Sequence, residues 1–373
     1  MKKIIVYGVK NLELRRSIEY FLDDHYKIVG YTDGHYEYDV LDNQKFFRLE
    51  ELCHQEFDFI VIASSSGATQ SEIRRILLAL NIPSEKIIRP TMFRGGSGEK
   101  GQTDLIANID NHYCGEKSLI FGMSYSAWGI REKELKHSFY NCSWSGLDLY
   151  YNYCMYRYIE EHPCFLNIDT VLLVFPYYYF DYDMSRSFGQ YESGQIFSIR
   201  RLDDWHHSDQ VPGAYDYIAN YRMFGEKITR FYHMPKWKGE SPYTLKEPDG
   251  GILLDPLWFA DHGETVEENQ EIFVQFYKSI ESRRGTPAIV IPPFYLEGLN
   301  LVSKTAFQAK KEKFYGILRE QERLLGKIRV FDYADAFTGR RDLFREVTHL
   351  NSKGAEAFTE LINRDVLGWI ESK

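Results

Sequence analysis

Three residue types that act together in acyl transfer occupy informative positions in the sequence. Ser124 follows the apolar stretch 118–121 in the order Gly-Met-Ser and opens a predicted helix. His349 lies shortly before the last predicted helix, and Glu346 lies three residues before it. A serine hydroxyl attacks a carbonyl carbon when a histidine accepts its proton, and a carboxylate can orient the histidine ring. The sequence therefore indicates serine-dependent acyl transfer, provided that the fold brings these residues together.

Each of these residues also has a simpler interpretation. A serine at the start of a helix is often only a cap, a loop histidine can pin a turn, and a glutamate is commonly a solvated charge. The backbone N–H of Ser124, at the positive end of the predicted helix, would in addition help to bind an oxyanion. The positions of Ser124 and His349 at the ends of separate predicted strands favour the catalytic interpretation.

The elements that must position these residues alternate between strands and helices. Strands are predicted over residues 118–121, 138–142, 170–175, 288–291 and 328–331. Helices are predicted over residues 149–160, 266–282, 304–325 and 353–370. Strands joined by helices predict an α/β domain with a doubly wound parallel sheet over residues 117–373, in which ligands bind beyond the carboxyl ends of the strands.

A second, smaller α/β domain is predicted over residues 1–92. Its strands are expected at 3–7, 27–31 and 57–63, and its helices at 12–22, after an N-cap at Asn11, and at 70–80. It resembles the small Rossmann-like N-terminal domains of bacterial sugar N-acyltransferases and other surface-glycan enzymes. A glycine-rich linker and a helix at 103–113 are predicted within residues 93–116, between the two domains.

The turn after the first strand lacks the glycines of a dinucleotide site. Residues 8–13 read Gly-Val-Lys-Asn-Leu-Glu, with one glycine where the G-x-G-x-x-G fingerprint has three. Side chains would crowd a pyrophosphate there, so no cofactor is expected. Asp33 and the stretch 64–67 stand where such folds hold a ribose or an anion. A nucleotide-sugar ligand and a docking or scaffold role are the alternatives for this domain.

The composition excludes several classes of partner. The 373 residues include 54 acidic and 45 basic side chains, for a net charge of -9, which disfavours nucleic acid and anionic membranes. No stretch approaches the roughly 20 apolar residues of a membrane span. The five cysteines contain no C-x-x-C pair, which argues against a disulfide framework. A cytoplasmic protein without membrane insertion is predicted, with a homo-oligomer as a possible state.

The motifs around Ser124 and His349 resemble those of the SGNH, or GDSL-type, hydrolase superfamily over about residues 117–370. Gly-Met-Ser at 122–124 is similar to the block that carries the nucleophile. Glu-Val-Thr-His at 346–349, followed by Leu-Asn-Ser-Lys-Gly-Ala, is similar to the block that carries the acid and the histidine. The resemblance implies a flavodoxin-like sheet, with Ser124 as nucleophile, His349 as general base and Glu346 as the acid of the triad. It also assigns the backbone N–H of Gly146 to the oxyanion hole.

The sequence departs from the family pattern in three places. Met123 replaces an aspartate, and Glu346 replaces the usual aspartate of the triad. The family's third oxyanion donor is an asparagine in a G-x-N-D block, where this chain reads Phe-Pro-Tyr-Tyr-Tyr over 175–179. Loss of one such donor lowers turnover by on the order of 100- to 1000-fold. We therefore expect the hydroxyl of Tyr177 or Tyr178 to replace it, or the enzyme to be slow or inactive.

The segment 180–268 is too long for a structureless loop and is rich in aromatic residues. Its composition, with a helical stretch at 215–232, predicts a cap over the serine, with Tyr179 and Trp205 as substrate-binding residues. Alternatively, these rings form the core of the cap itself. His206 and His207, with Asp203, Asp204, Asp261 and His262, match no metal-ligand spacing, and no metal site is expected.

Together these features predict an esterase or an O-acyltransferase that acts on an O-acylated carbohydrate in bacterial surface polysaccharide biosynthesis. Its substrate would be a small-molecule or glycan ester. The alternative is a catalytically inactive glycan-binding or scaffold protein with an SGNH-like fold.

Overall fold

The computed structural model describes most of the chain. The described residues are 1–36, 38–64, 66–90, 109, 115–165, 167–184, 206–207, 219–225, 227, 244–245, 251–254 and 263–372. They divide into two units. The first contains the residues described up to 90, His206 and His207, and those described from 219 to 227. The second contains Ile109 and the residues described from 115 to 184 and from 244 onward.

The first unit is built on a mainly parallel sheet. In chain order its elements are β1 (Lys2–Tyr7), α1 (Leu12–Phe21), β2 (Tyr26–Thr32), β3 (Val40–Leu41), β4 (Gln44–Phe46), β5 (Phe59–Ile62), α2 (Gly67–Ala79) and β6 (Ile87–Ile88). The strand order is β3-β4-β2-β1-β5-β6, with β3 antiparallel to β4 and the other pairs parallel. Asn11 caps α1 and Ser66 caps α2, each accepting a hydrogen bond from a backbone N–H of the first turn.

Part of the long insertion belongs to this first unit. Met223 and Phe224 are fully buried in the apolar cluster that contains Ile4, Val6 and Ile18. The backbone N–H of Asp23 donates to the carbonyl of Met223 at 2.7 Å. Residues 219–225 therefore complete the core beside β1 and α1. The cap predicted for the insertion, like its helix at 215–232, falls mostly outside the described residues and stays a prediction.

The second unit is built on a five-stranded parallel sheet. Its elements are β7 (Ser118–Gly122), α3 (Ser124–Gly129), β8 (Phe139–Asn141), α4 (Leu149–Glu160), β9 (Thr170–Val174), α5 (Gly263–Ser282), β10 (Thr286–Ile291), α6 (Leu301–Leu325), β11 (Val330–Asp332), β12 (Phe344–Glu346), β13 (His349–Leu350) and α7 (Ser352–Glu371). The strand order is β11-β10-β9-β7-β8, and β12 pairs with β13 in a separate antiparallel hairpin. The central strands β7 and β9 are buried along their whole length, as strands of parallel sheets are when helices cover both faces.

The α/β class and the parallel sheets predicted from the sequence are confirmed. The predicted strands and helices are present within a few residues of their expected bounds, and the predicted bounds of α4 match the observed ones. The hairpins β3–β4 and β12–β13 were not predicted. The helix expected at 103–113 lies outside the described residues except for Ile109. None of the described helices combines the length and the apolar content needed to cross a membrane.

Candidate active site

Ser124 stands at a tight junction between β7 and α3. Gly122 ends the strand, and its N–H donates to Oδ1 of Asn152 on α4 at 3.1 Å. A Cβ on Gly122 would lie 2.5 Å from the Ser126 hydroxyl and 2.6 Å from the carbonyl of Val174. Only glycine fits between these two groups, so the chain can turn directly from the sheet edge into the helix that Ser124 begins.

The hairpin β12–β13 carries the other two residues. Glu346 on β12 pairs directly with His349 on β13, so the backbone register places the two side chains next to each other. The hairpin is followed at once by α7, whose N-cap is Asn351. Asn351 accepts from the N–H of Gly354 at 3.0 Å and donates to the carbonyl of Asp342 at 2.7 Å. These two bonds fix the hairpin against the start of α7.

His349 lies between Ser124 and Glu346 and contacts both. Its Nε2 is 2.6 Å from Oγ of Ser124, and its Nδ1 forms a hydrogen bond with Oε1 of Glu346. The serine is 7% exposed, while the side chains of His349 and Glu346 are 15% and 40% exposed. A hydroxyl, an imidazole and a carboxylate in this order form a path along which a proton can leave the serine.

Thr348 holds the carboxylate in place. Its hydroxyl lies 2.8 and 3.0 Å from the two carboxylate oxygens of Glu346, and its N–H donates to Oε2 at 3.3 Å. Burial on its own would raise the pKa of the Glu346 carboxyl, but hydrogen bonds and charge attraction from His349 and hydrogen bonds from Thr348 outweigh burial and lower it. Glu346 is therefore ionised at neutral pH and can stabilise a protonated imidazole.

Two aromatic rings of α3 flank the imidazole. The ring of Tyr125 stacks on His349 with centroids 5.1 Å apart and planes 16° from parallel, and Trp128 lies at 4.9 Å with a 38° tilt. These residues border a small pocket of about 210 Å³ at the serine. The residues that line it are Ser124, Tyr125, Trp128, Gly129, Pro292, Pro293, Thr348, His349 and Leu350. The pocket has mainly apolar walls, and none of the described residues that line it is a carboxylate.

Tyr178 lies close to this aromatic group. Its hydroxyl is 2.7 Å from the hydroxyl of Tyr125, which stacks on His349, and 3.8 Å from Sδ of Met123. Burial raises the pKa of both phenols well above the usual value, so both are neutral and retain their protons. A neutral phenol can donate a hydrogen bond to an oxyanion, which keeps the prediction for Tyr178 open.

The hydroxyls of Tyr177 and Tyr179 have other partners, contrary to the sequence-based predictions. Tyr177 donates its only hydroxyl proton to Asp332 at 2.6 Å, so in this arrangement it does not replace the missing oxyanion donor. Tyr179 is 1% exposed; its hydroxyl donates to the carbonyl of Leu147 at 2.8 Å and accepts from Asn152. A tyrosine so buried supports the loop after β8 and does not face a substrate.

The remaining predicted site residues are placed as follows. Gly146 lies in that loop after β8 with φ of 75°, in the left-handed region, and its carbonyl accepts from the hydroxyl of Tyr182 at 2.8 Å. Trp205 lies outside the described residues, as do Asp203, Asp204, Asp261 and His262. In the first unit, Asp33 uses one carboxylate oxygen to hold the N–H of Val9 and the other to hold that of His35. The bond to Val9 joins the loops that follow β1 and β2, whereas the bond to His35 lies within one loop.

Sequence reasoning missed several residues that shape the site. Thr348 lies between Glu346 and His349 in the sequence. A small polar residue between two predicted functional residues was the one signal that could have predicted its role. Tyr125 and Trp128 are three residues apart on α3, a spacing that puts both on one helical face. Asn152, which contacts both Gly122 and Tyr179, has no local signal, because its partners are distant in sequence.

Residues 1–88 match the model of a family described as C2185-like, N-terminal. No curated protein matches the chain.

Proposed function

We propose that the second unit is an SGNH-like, serine-dependent acyl-transfer enzyme, an esterase or an O-acyltransferase that uses Ser124, His349 and Glu346. The observation that carries this proposal is the position of His349, which bonds Oγ of Ser124 through Nε2 and Glu346 through Nδ1. Ser124 at the start of α3 and His349, 225 positions further along the chain, meet in the arrangement that nucleophilic catalysis by a serine requires.

The geometry supports a two-step reaction. Oγ of Ser124 attacks the carbonyl carbon of an ester while Nε2 of His349 takes the hydroxyl proton. The bond between the carbonyl carbon and the alcohol oxygen then breaks, and His349 returns the proton to the leaving alcohol. Water or a sugar hydroxyl, deprotonated by His349, next attacks the acyl carbon. The bond between that carbon and Oγ of Ser124 breaks, and His349 returns the proton to Oγ. Glu346 stays ionised throughout and stabilises the charged imidazole.

The oxyanion that forms in each step needs hydrogen-bond donors. The N–H of Ser124 is in the first turn of α3, where N–H groups have no partner within the helix. The N–H of Gly146 is assigned to this role by the family resemblance alone. Tyr125 and Tyr178 both retain a proton close to the site, and we assign Tyr178, the residue that the sequence predicts, the place of the missing asparagine.

The fold is consistent with this assignment. Counted along the chain, the strands of the second sheet lie in the order 2-1-3-4-5, which is that of flavodoxin-like sheets. Ser124 follows the carboxyl end of the central strand β7, where ligands of such sheets bind. The pocket at Ser124 is small and is bordered by the rings of Tyr125 and Trp128. We take it to hold a short acyl group, and an acylated carbohydrate remains the proposed substrate.

A fluorophosphonate probe tests the nucleophile directly. We expect the wild-type protein to be labelled and Ser124→Ala to lose the label. Ser126→Ala is the matched control, because Ser126 lies on the same helix and bonds Ser143 at 2.7 Å; it should keep the label. Folding of each variant is checked by its melting temperature. A folded wild-type protein that stays unlabelled would favour the non-catalytic binding protein.

The acceptor is tested separately. Release of acetate from an acetylated sugar is measured with and without a second, unacylated sugar. Acetate release alone identifies an esterase, whereas an acetylated second sugar identifies an O-acyltransferase.

A further inference from the structure

Arg345 is a cation beside the candidate site that has no acidic partner among the described residues. It lies on β12, immediately before Glu346, and is partly buried. Its guanidinium carbon is 4.9 Å from the centre of the Trp128 ring. In a chain with nine more acidic than basic residues, this arginine stacks on an aromatic ring and forms no ion pair with a described carboxylate.

The stack on Trp128 leaves the guanidinium able to bind a ligand. An arginine that lies on an aromatic face still directs its N–H groups outward from its edges, in the fork that matches a carboxylate or a phosphate. The nearest acid in sequence, Glu346, already bonds His349 and Thr348. Arg345 therefore carries a positive charge that no described carboxylate neutralises.

The position of Arg345 relative to the pocket indicates which part of a substrate it would meet. Trp128 forms part of the pocket wall, whereas Arg345 is not one of the lining residues. An acyl group bound in the pocket would place the ester at Ser124 and leave the alcohol part outside. The guanidinium of Arg345, which stacks on Trp128, is then available to bind the alcohol part.

We propose that the substrate is an anionic ester, whose alcohol part carries a carboxylate or a phosphate that binds Arg345. This inference rests on the proposed function, in that it takes the pocket at Ser124 as the place where the ester binds. It adds the charge of the substrate, which the triad does not specify. No described residue that lines the pocket is a carboxylate that would repel such a group.

Binding of stable amide analogues tests the inference without requiring turnover. Three ligands are titrated by calorimetry: 4-acetamidobenzoate, 4-acetamidophenyl phosphate and the neutral methyl ester of the first. We expect the wild-type protein to bind at least one of the anions about tenfold more tightly than the neutral ligand, as a charge-assisted bond would give. The anion that shows the larger preference distinguishes a carboxylate from a phosphate.

Variants test whether Arg345 causes the preference for anionic ligands. Arg345→Gln should abolish the preference and leave binding of the methyl ester unchanged, while Arg345→Lys should keep part of it. Arg329→Gln is the matched control, because Arg329 also stacks on a tryptophan, Trp369, at 5.5 Å; it should keep the full preference.

Three results would overturn the inference: no binding by the wild-type protein, equal affinity for charged and neutral ligands, or a preference that survives in Arg345→Gln. Failure of the proposed function is seen separately. If Ser124 is not labelled by the fluorophosphonate but the charge preference depends on Arg345, the anion site stands and the catalytic assignment does not.

Discussion

At the scale of single residues, the arrangement around Glu346 shows how a glutamate could serve as the proposed triad acid, a place that SGNH hydrolases, which the sequence resembles, give to an aspartate. The longer side chain has one more rotatable bond, so its carboxylate needs an additional constraint. Thr348 supplies it, because its hydroxyl lies within hydrogen-bond distance of both carboxylate oxygens and 3.1 Å from Nδ1 of His349. Thr348 is buried and acts as a positioning residue for the acid and the imidazole together.

Replacing Thr348 with valine tests this role through the pH dependence of stability. The folded pKa of Glu346 is lowered, so its interactions stabilise the fold above the ordinary glutamate value of about 4.3 and are lost as the pH falls through the folded pKa. Thr348→Val removes the hydroxyl with little change in shape. We expect it to cost roughly 1–2 kcal/mol at pH 7, since Glu346 is partly exposed and its interactions are screened.

The measurement is urea unfolding of the wild-type and variant proteins between pH 3.5 and 7. The difference in unfolding free energy should be largest above about pH 5 and should shrink below about pH 4. Thr348→Ser keeps the hydroxyl and should follow the wild type. A difference that stays constant over the whole range would show that the threonine stabilises the fold by packing and not through the carboxylate.

The sequence was sufficient to bring Ser124, Glu346 and His349 together as a hypothesis, because each stands in a short motif at the end of a predicted element. It was insufficient for Tyr177 and Tyr179. Both follow β9 and have the residue type of a donor, but the acceptors of their hydroxyls, Asp332 and the carbonyl of Leu147, are far away in the sequence. The local sequence shows that a residue can donate a hydrogen bond, but only the three-dimensional structure shows which group accepts it.

At the scale of elements, the junction between β7 and α3 determines where the hydroxyl of Ser124, the proposed nucleophile, points. The Ser126 hydroxyl and the carbonyl of Val174 leave no room for a side chain at position 122. We expect Gly122→Ala to lower the free energy of unfolding by roughly 1–3 kcal/mol, because the junction must move apart to accept the methyl group. The same movement displaces Ser124 from His349, so fluorophosphonate labelling should be much slower.

The matched control is Gly368→Ala, on α7 and outside the lining of the pocket. A Cβ at that position would meet no described atom within 4 Å. This variant should be labelled at the wild-type rate. Labelling rates and urea midpoints are measured for both variants, and normal labelling of Gly122→Ala would mean that the junction tolerates a side chain and does not fix the serine.

The elements that the sequence predicted correctly are those with a strong periodic or apolar pattern. The central strands are continuous apolar runs, and the helices α5, α6 and α7 carry repeating apolar positions over 20 residues or more. The hairpin β12–β13 has only three and two residues in its strands. So short a pairing has no recognisable pattern, although it is the element that joins Glu346 to His349.

At the scale of the whole molecule, the chain returns to its first unit after it has begun the second. β7, β8 and β9 are already part of the second sheet when residues 219–225 enter the core beside β1 and α1. Each unit is therefore formed from separate stretches of sequence. A boundary drawn from the glycine-rich stretch near residue 95 alone cannot reveal this, because composition marks where a domain ends and not where the chain comes back to it.

The contribution of residues 219–225 to the stability of the first unit can be measured by hydrogen exchange. Phe224 is fully buried in the core of the first unit, and truncating such a phenylalanine typically costs about 3–5 kcal/mol. Phe224→Ala should therefore accelerate amide exchange in peptides from β1 and β5, as detected by mass spectrometry. Phe358→Ala is the matched control, because Phe358 is equally buried in the core of the second unit; it should accelerate exchange in β7 and β10. If Phe224→Ala leaves the exchange of β1 unchanged, the first unit owes its stability to residues 1–90 alone.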